Sequence, residues 1–207
     1  MGKSEIIKPY KINNIVNKIH DLIPGKVTII GWSLGGQIAM KYYLKYPKTV
    51  NYLVCISSTP CFIRKPGWEN GVSINFFSKF KKNLSNNWQK TLKNFFLLQI
   101  KENAGKRNIL RKLENDFINQ RPPTKEALEK SLEILEENDM RTEVKNINIP
   151  TLIISSKKDA ISNYKASIWM QSQIKDSKIF IHDSAGHIPF VSYQRKCFEL
   201  IEDFLGS

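Results

Sequence analysis

The feature that most restricts this chain is a short stretch near its start, Gly31-Trp32-Ser33-Leu34-Gly35-Gly36, together with its flanks. Lys26 to Ile30, apolar and β-branched after its first residue, reads as a buried strand entering the turn. Gln37 to Tyr46 reads as a helix leaving it, stopped by Pro47, and Val50 to Ser57 as a second buried strand. A strand, a tight turn, a helix and a strand form a unit whose two strands run parallel, because the helix carries the chain back to its starting end. A G-x-S-x-G turn in that setting lifts the Ser33 hydroxyl to the C-terminal edge of the sheet. It also aims the Leu34 N–H, at the start of the helix, towards an oxygen that gains charge there. Ser33 is the candidate nucleophile and Leu34 the candidate oxyanion donor. The glycines on both flanks fit a turn that leaves no room for side chains.

A serine hydroxyl is a weak nucleophile and needs a base. The chain has three histidines. His20 lies in an amphipathic helix before the turn and is expected to be solvated. His182 ends a strand. His187 sits in Ser184-Ala185-Gly186-His187-Ile188-Pro189-Phe190, a loop after the last strand, and fits the order serine, acid, histidine. Asp159 follows the strand Thr151 to Ser156, where loops gather at the edge of a parallel sheet, and is the candidate for orienting His187. Asp176 is expected to cap the start of a strand at the wrong end of the sheet. Asp183 follows its strand too closely to reach back.

The rest of the chain divides in the same way. Ile12, Ile15, Val16, Ile19, Leu22 and Ile23 mark a helix ending near Pro24-Gly25. From Ile63 to Lys145 strands are replaced by helical spacing. Phe76, Phe80, Leu84, Trp88, Leu92 and Phe96 form one apolar stripe, and Ile109, Leu110, Leu113 and Phe117 another. Leu128, Leu132 and Leu135 form a third, behind a Thr124 cap. Sheet character returns with Thr151 to Ser156, a helix near Tyr164 to Gln173, a strand from Lys178 to His182 and a closing helix from Phe198 to Leu205. The expected architecture is therefore α/β, with a mostly parallel core from residues 1–62 and 146–207 and a helical cap from residues 63–145.

No run approaches the roughly 20 apolar residues of a membrane span. Met1 to Tyr10 has no apolar segment of the kind that opens a secretory signal. Cys55, Cys61 and Cys197 are scattered and odd in number, which reads as reduced thiols in a cytoplasmic protein. The net charge of +13 favours an acidic partner. The cations form no single tract and the aromatics fall at core spacing, which argues against nucleic acid.

On these residues the chain resembles the α/β-hydrolase superfamily. Within it the chain resembles the carboxylesterases of biotin synthesis that act on the methyl ester of pimeloyl-[acyl-carrier protein]. The narrower resemblance rests on Gly31 to Gly36, on Ser57-Ser58-Thr59-Pro60-Cys61-Phe62 with Trp68, on Phe95-Phe96-Leu97-Leu98-Gln99 and on Asp139-Met140-Arg141. It implies a serine esterase of Ser33, Asp159 and His187 that needs neither cofactor nor metal. It implies an acyl site formed by Trp32, Ser33, Leu34, Phe95, Phe96, Leu97, Leu98, Gln99 and His187. It also implies an acidic carrier protein met by Lys90, Arg107 and Arg111, and a monomer. The strands and the His-Gly-Trp oxyanion motif that precede the elbow in that fold have no counterpart here, so the chain reads as N-terminally truncated. Two alternatives stay open: a general short-chain carboxylesterase or thioesterase, and a catalytically impaired fragment that only binds a carrier.

Overall fold

Four short runs rich in β-branched residues become the strands of one sheet: β1 (Val27–Trp32), β2 (Val50–Ile56), β3 (Thr151–Ser156) and β4 (Ser177–His182). They lie side by side in chain order, all parallel, with Ile30 beside Val54, Val54 beside Leu152 and Leu152 beside Lys178. The architecture is a computed structural model describing residues 6–102, 108, 111, 112, 115 and 123–206.

Alternation along the strands gives the sheet two apolar faces. Leu53, Cys55 and Ile153 point to one face. They pack there against α1 (Ile12–Leu22), α2 (Leu34–Lys45) and α6 (Tyr164–Gln173) through Val16, Met40, Tyr42, Met170 and Ile174. Val54, Ile56, Leu152 and Ile154 point to the other and meet Cys197 and Ile201 of α8 (Gln194–Leu205). All six positions of β3 are buried. β1 departs from the expected buried run: Thr28 and Ile30 are exposed, Ile30 by 50%. The reason is positional. β1 is an edge strand among the described residues, and α8 covers this face over β2, β3 and β4 but not over Ile30.

Between β2 and β3 the chain forms α3 (Ile74–Asn86), α4 (Trp88–Glu102) and α5 (Lys125–Glu137). Ser73 caps α3 by accepting from the Phe76 N–H, and Thr124 caps α5 by accepting from Ala127. The first apolar stripe is shifted from its expected phase. Phe77 and Leu84 are buried, while Phe76 is 58% exposed. A helix repeats every 3.6 residues, so strict steps of four drift round the surface, whereas Phe77, Phe80 and Leu84 (steps of three and four) stay on one face. The stripe is also not one helix: Asn87 ends α3, and its side chain accepts from the Lys90 N–H to start α4. Ile109, Leu110, Leu113, Phe117 and the side chain of Phe96 lie outside the described residues.

The last helix likewise begins earlier than expected, at Gln194, after a short α7 (Pro189–Ser192). Its first turn is Gln-Arg-Lys, which carries no apolar signal. All three cysteines are buried and free; burial raises the Cys55 thiol to about 12 and Cys197 to about 11. Among the described residues no helix is long and apolar enough to cross a membrane.

Candidate active site

Parallel strands bring their exits to one edge of the sheet. Ser33 follows β1, Ser57 and Ser58 follow β2, Asp159 follows β3 and His187 follows β4. Ser33 adopts φ 54° and ψ −120°, a backbone that a non-glycine residue takes only at a cost of about 1–3 kcal/mol. Three bonds hold it. Its N–H donates to the Ile56 carbonyl at 2.9 Å, and its own carbonyl accepts from the Gly36 N–H at 3.0 Å and from the Ser58 hydroxyl at 2.8 Å. Leu34 is the first residue of α2, so its N–H is among those that have no acceptor within the helix.

The flanking glycines are not equivalent, which corrects the expectation that both sides of the motif must be bare. A Cβ on Gly31 would lie 2.6 Å from the Gly36 Cα, and one on Gly36 would lie 2.5 Å from the Ser58 Cβ. A Cβ on Gly35 would meet nothing within 4 Å. The elbow closes on Gly31 and Gly36, with Gly35 facing open space.

Asp159 and His187 are joined in the interior. His187 Nδ1 lies 2.8 Å from Asp159 Oδ2, and the two side chains are 1% and 0% exposed. Asp159 Oδ1 accepts from the Ile161 and Ser162 N–H groups, both at 2.8 Å. With three donors fixing it, the carboxylate cannot turn away. It makes Nδ1 the protonated nitrogen and leaves Nε2 as an acceptor. Trp32 ties the histidine loop to the elbow: its Nε1–H donates to the His187 carbonyl at 2.8 Å, and its ring lies 5.4 Å from the imidazole. Among the described residues no hydrogen bond joins the Ser33 hydroxyl to His187. A cavity of about 10 Å³, the size of a single water, is bordered by Ser33, Ser57, Phe62, Leu135 and Ser162.

The other candidates separate cleanly. His20 is half-buried rather than fully solvated: its Nδ1 is 3.1 Å from the Tyr42 hydroxyl and its ring stacks on Tyr46 at 3.7 Å. His182 accepts from the Ser184 N–H and packs on Tyr193, and burial lowers its pKa. Asp183 is exposed and paired with Lys157 at 2.7 Å. Asp176 is exposed at the opposite end of the sheet, where its carbonyl accepts from Thr151. Phe95 comes to the site from α4, with its ring 6.4 Å from His187. Lys90 and Arg111 are exposed. Arg107 and the side chains of Phe96, Leu97, Leu98 and Gln99 lie outside the described residues.

Residues 2–192 match the family described as alpha/beta hydrolase fold. This chain belongs to that family. Its relatives include two proteins named pimeloyl-[acyl-carrier protein] methyl ester esterase. One, from Wigglesworthia glossinidia brevipalpis, is 34% identical over 99% of this chain and 79% of its own length. The other, from Nitrosomonas europaea, is 32% identical over 92% of this chain and 77% of its own. Among solved structures, an esterase from Exiguobacterium antarcticum superposes with a TM-score of 0.89 at 21% identity, over all of this chain and 78% of that one. A bromoperoxidase from Bacillus anthracis gives 0.88 at 20%, again over all of this chain and 78% of its own. The hydrolase fold thus extends over the sheet, the elbow and the helices between β2 and β3.

Three supporting side chains of this hydrolase site had no signal in the sequence. Ser58 holds the elbow carbonyl. Gln37, 1% exposed, donates to the Thr59 carbonyl at 2.9 Å and accepts from Asn138 at 3.0 Å, linking the elbow helix to the end of α5. Ser156 accepts from the Gly186 and Lys158 N–H groups, linking the histidine loop to the acid loop. Ser, Gln and Asn are common at exposed turns, and only the fold brings these ones inward.

Proposed function

We propose that this chain is a serine esterase that hydrolyses the methyl ester of a pimeloyl chain carried on an acyl-carrier protein, a step of biotin synthesis in the cytoplasm. The observation that carries the reading is the buried Asp159–His187 bond at the same sheet edge as the strained Ser33 elbow. The names of the relatives, at 32–34% identity, supply the substrate.

His187 Nε2 takes the Ser33 proton as Oγ attacks the ester carbonyl. The Leu34 N–H meets the oxyanion. Collapse of the intermediate breaks the bond to methoxide, which leaves as methanol with the proton from His187. Water then attacks the acyl-Ser33 ester, giving its proton to His187, and His187 returns it to Ser33 Oγ as the free carboxylic acid departs. Asp159 keeps the imidazole in the required tautomer throughout and stabilises the imidazolium. Trp32, Phe95, Phe96, Leu97, Leu98 and Gln99 line the acyl site in this reading, and Lys90, Arg107 and Arg111 face the carrier. The test is turnover of pimeloyl methyl ester on its carrier protein by the wild-type chain and by Ser33→Ala. The variant is expected to lose about 10⁴-fold or more in kcat. Equal rates for the two proteins would refute the assignment.

A further inference from the structure

Two buried hydroxyls beside the nucleophile have no part in the scheme above. Ser57 and Ser162 are 1% and 2% exposed, and neither Oγ has a hydrogen-bond partner among the described residues. They reach the interior from different loops, Ser57 from the exit of β2 and Ser162 from the loop after β3. Both border the cavity of about 10 Å³ that Ser33 also borders. The other polar side chains around that cavity are engaged. Ser58 donates to the Ser33 carbonyl, Gln37 donates to the Thr59 carbonyl and accepts from Asn138, and the Thr59 hydroxyl donates to the Cys61 carbonyl. Phe62 and Leu135 supply the apolar remainder of the wall. The two hydroxyls are firmly placed. Ser57 is held at φ 46°, where a non-glycine residue sits only at a cost, with its N–H bonded to the Ile154 carbonyl at 2.8 Å. The Ser162 N–H donates at 2.8 Å to Asp159 Oδ1, while Asp159 Oδ2 lies 2.8 Å from His187 Nδ1. One carboxylate therefore anchors both the catalytic imidazole and the loop that carries the Ser162 hydroxyl.

A space for one small molecule, with two fixed hydroxyls that can each donate and accept, suits water and little else. We infer that this cavity seats the water that hydrolyses acyl-Ser33, with Ser57 and Ser162 as its positioning residues. The assignment rests on the proposed serine esterase and adds a source for the water of its second half. The acyl carbon is one bond from Ser33 Oγ, and Ser33 borders the cavity. The water oxygen forms the new bond to that carbon and its proton goes to His187 Nε2. The bond from the carbon to Ser33 Oγ then breaks, and His187 returns the proton to Oγ. In the first half of the reaction Ser33 is itself the nucleophile and this water takes no part. Removing either hydroxyl is therefore a defect of deacylation alone.

The test separates the two halves on the full chain, with p-nitrophenyl butyrate as the probe. With enzyme in excess, nitrophenolate release gives the rate of acylation. Intact-protein mass spectrometry of quenched samples gives the decay of acyl-Ser33. Ser57→Ala and Ser162→Val are each expected to slow the decay about tenfold, as a hydrogen bond to the water is lost, and to leave acylation unchanged. Ser162→Thr, which matches valine in size but keeps a hydroxyl, is expected to restore the decay. Ser167→Ala removes a buried hydroxyl of α6 that is also unpaired among the described residues but lies off this cavity, and is expected to change neither rate. An unchanged melting temperature identifies a folded variant. If Ser57→Ala does not fold, Ser57→Gly, which suits the positive φ, removes the same hydroxyl. Decay as fast in Ser162→Val as in Ser162→Thr overturns the water site. Equal slowing of acylation and decay in the Ser57 variant also overturns it, since a merely structural role gives that result. Nitrophenolate release by wild type no faster than by Ser33→Ala removes the esterase reading itself.

Discussion

At the scale of single residues, the site is a set of constraints on three side chains. Asp159 accepts three hydrogen bonds with no exposed surface, so its charge is available only to His187. Asp159→Asn keeps the shape but lets the wrong imidazole nitrogen carry the proton. A fall of about 10⁴-fold in kcat is expected, measured on carrier-bound ester with the melting temperature as the fold control. The elbow gives a sharper structural test. Gly31→Ala is expected to destabilise by about 1–3 kcal/mol, because the new methyl meets backbone that cannot retreat. Gly35→Ala, facing open space inside α2, is expected to stabilise by about 0.5–1 kcal/mol. Urea unfolding of the two variants side by side checks the sign of each. This asymmetry was not legible in the motif, where both positions are simply glycine; it depends on the backbone of Gly35 and Gly36 folding back over Gly31.

At the scale of elements, the strands and most helices could be read from the chain because each carries one strong local signal. Val50 to Ile56 is apolar at almost every position, and Thr124 stands directly before a helix. Where the signal was weak, tertiary structure decided. Phe76 keeps helical spacing but faces outward, since Phe77 is the residue that meets Phe62 across the insertion. The start of α8 was hidden by three polar residues. Least legible was the joint between the insertion and the sheet. There Arg141 holds Asp139 through both carboxylate oxygens, at 2.9 and 2.8 Å, and lies over the Trp68 ring at 5.7 Å. The Arg141 hydrogen bonds hold the Asp139 carboxyl at about 2, below its ordinary 3.8. A carboxylate depressed in the folded state stabilises it above its unfolded pKa and loses that contribution as pH falls through the folded value. The stability difference between wild type and Asp139→Asn is therefore expected to be about 2 kcal/mol at pH 6. It should shrink between about pH 4 and pH 2, which unfolding curves in urea at several pH values will show.

At the scale of the whole molecule, the charge of +13 acts on encounter rather than on chemistry. Raising salt from about 50 to about 500 mM shortens the Debye length to a few ångströms. It is expected to lower kcat/KM for carrier-bound ester several-fold, while that for dimethyl pimelate stays level; parallel initial-rate series check this. The arrangement of the sheet has a different kind of consequence. β2 and β3 are direct neighbours, with Leu53 beside Thr151 and Ile56 beside Ile154, although the insertion that carries α3, α4 and α5 intervenes in the chain. Closing that pair costs entropy that grows only with the logarithm of the intervening length, about 0.6 kcal/mol for each doubling. Lengthening, shortening or replacing the insertion therefore barely disturbs the pairing beneath it. Substrate preference can drift in a lineage of such chains while Ser33, Asp159 and His187 stay on an unaltered foundation, which makes the segment between Pro60 and Asn138 the natural unit to exchange when a new ester is wanted.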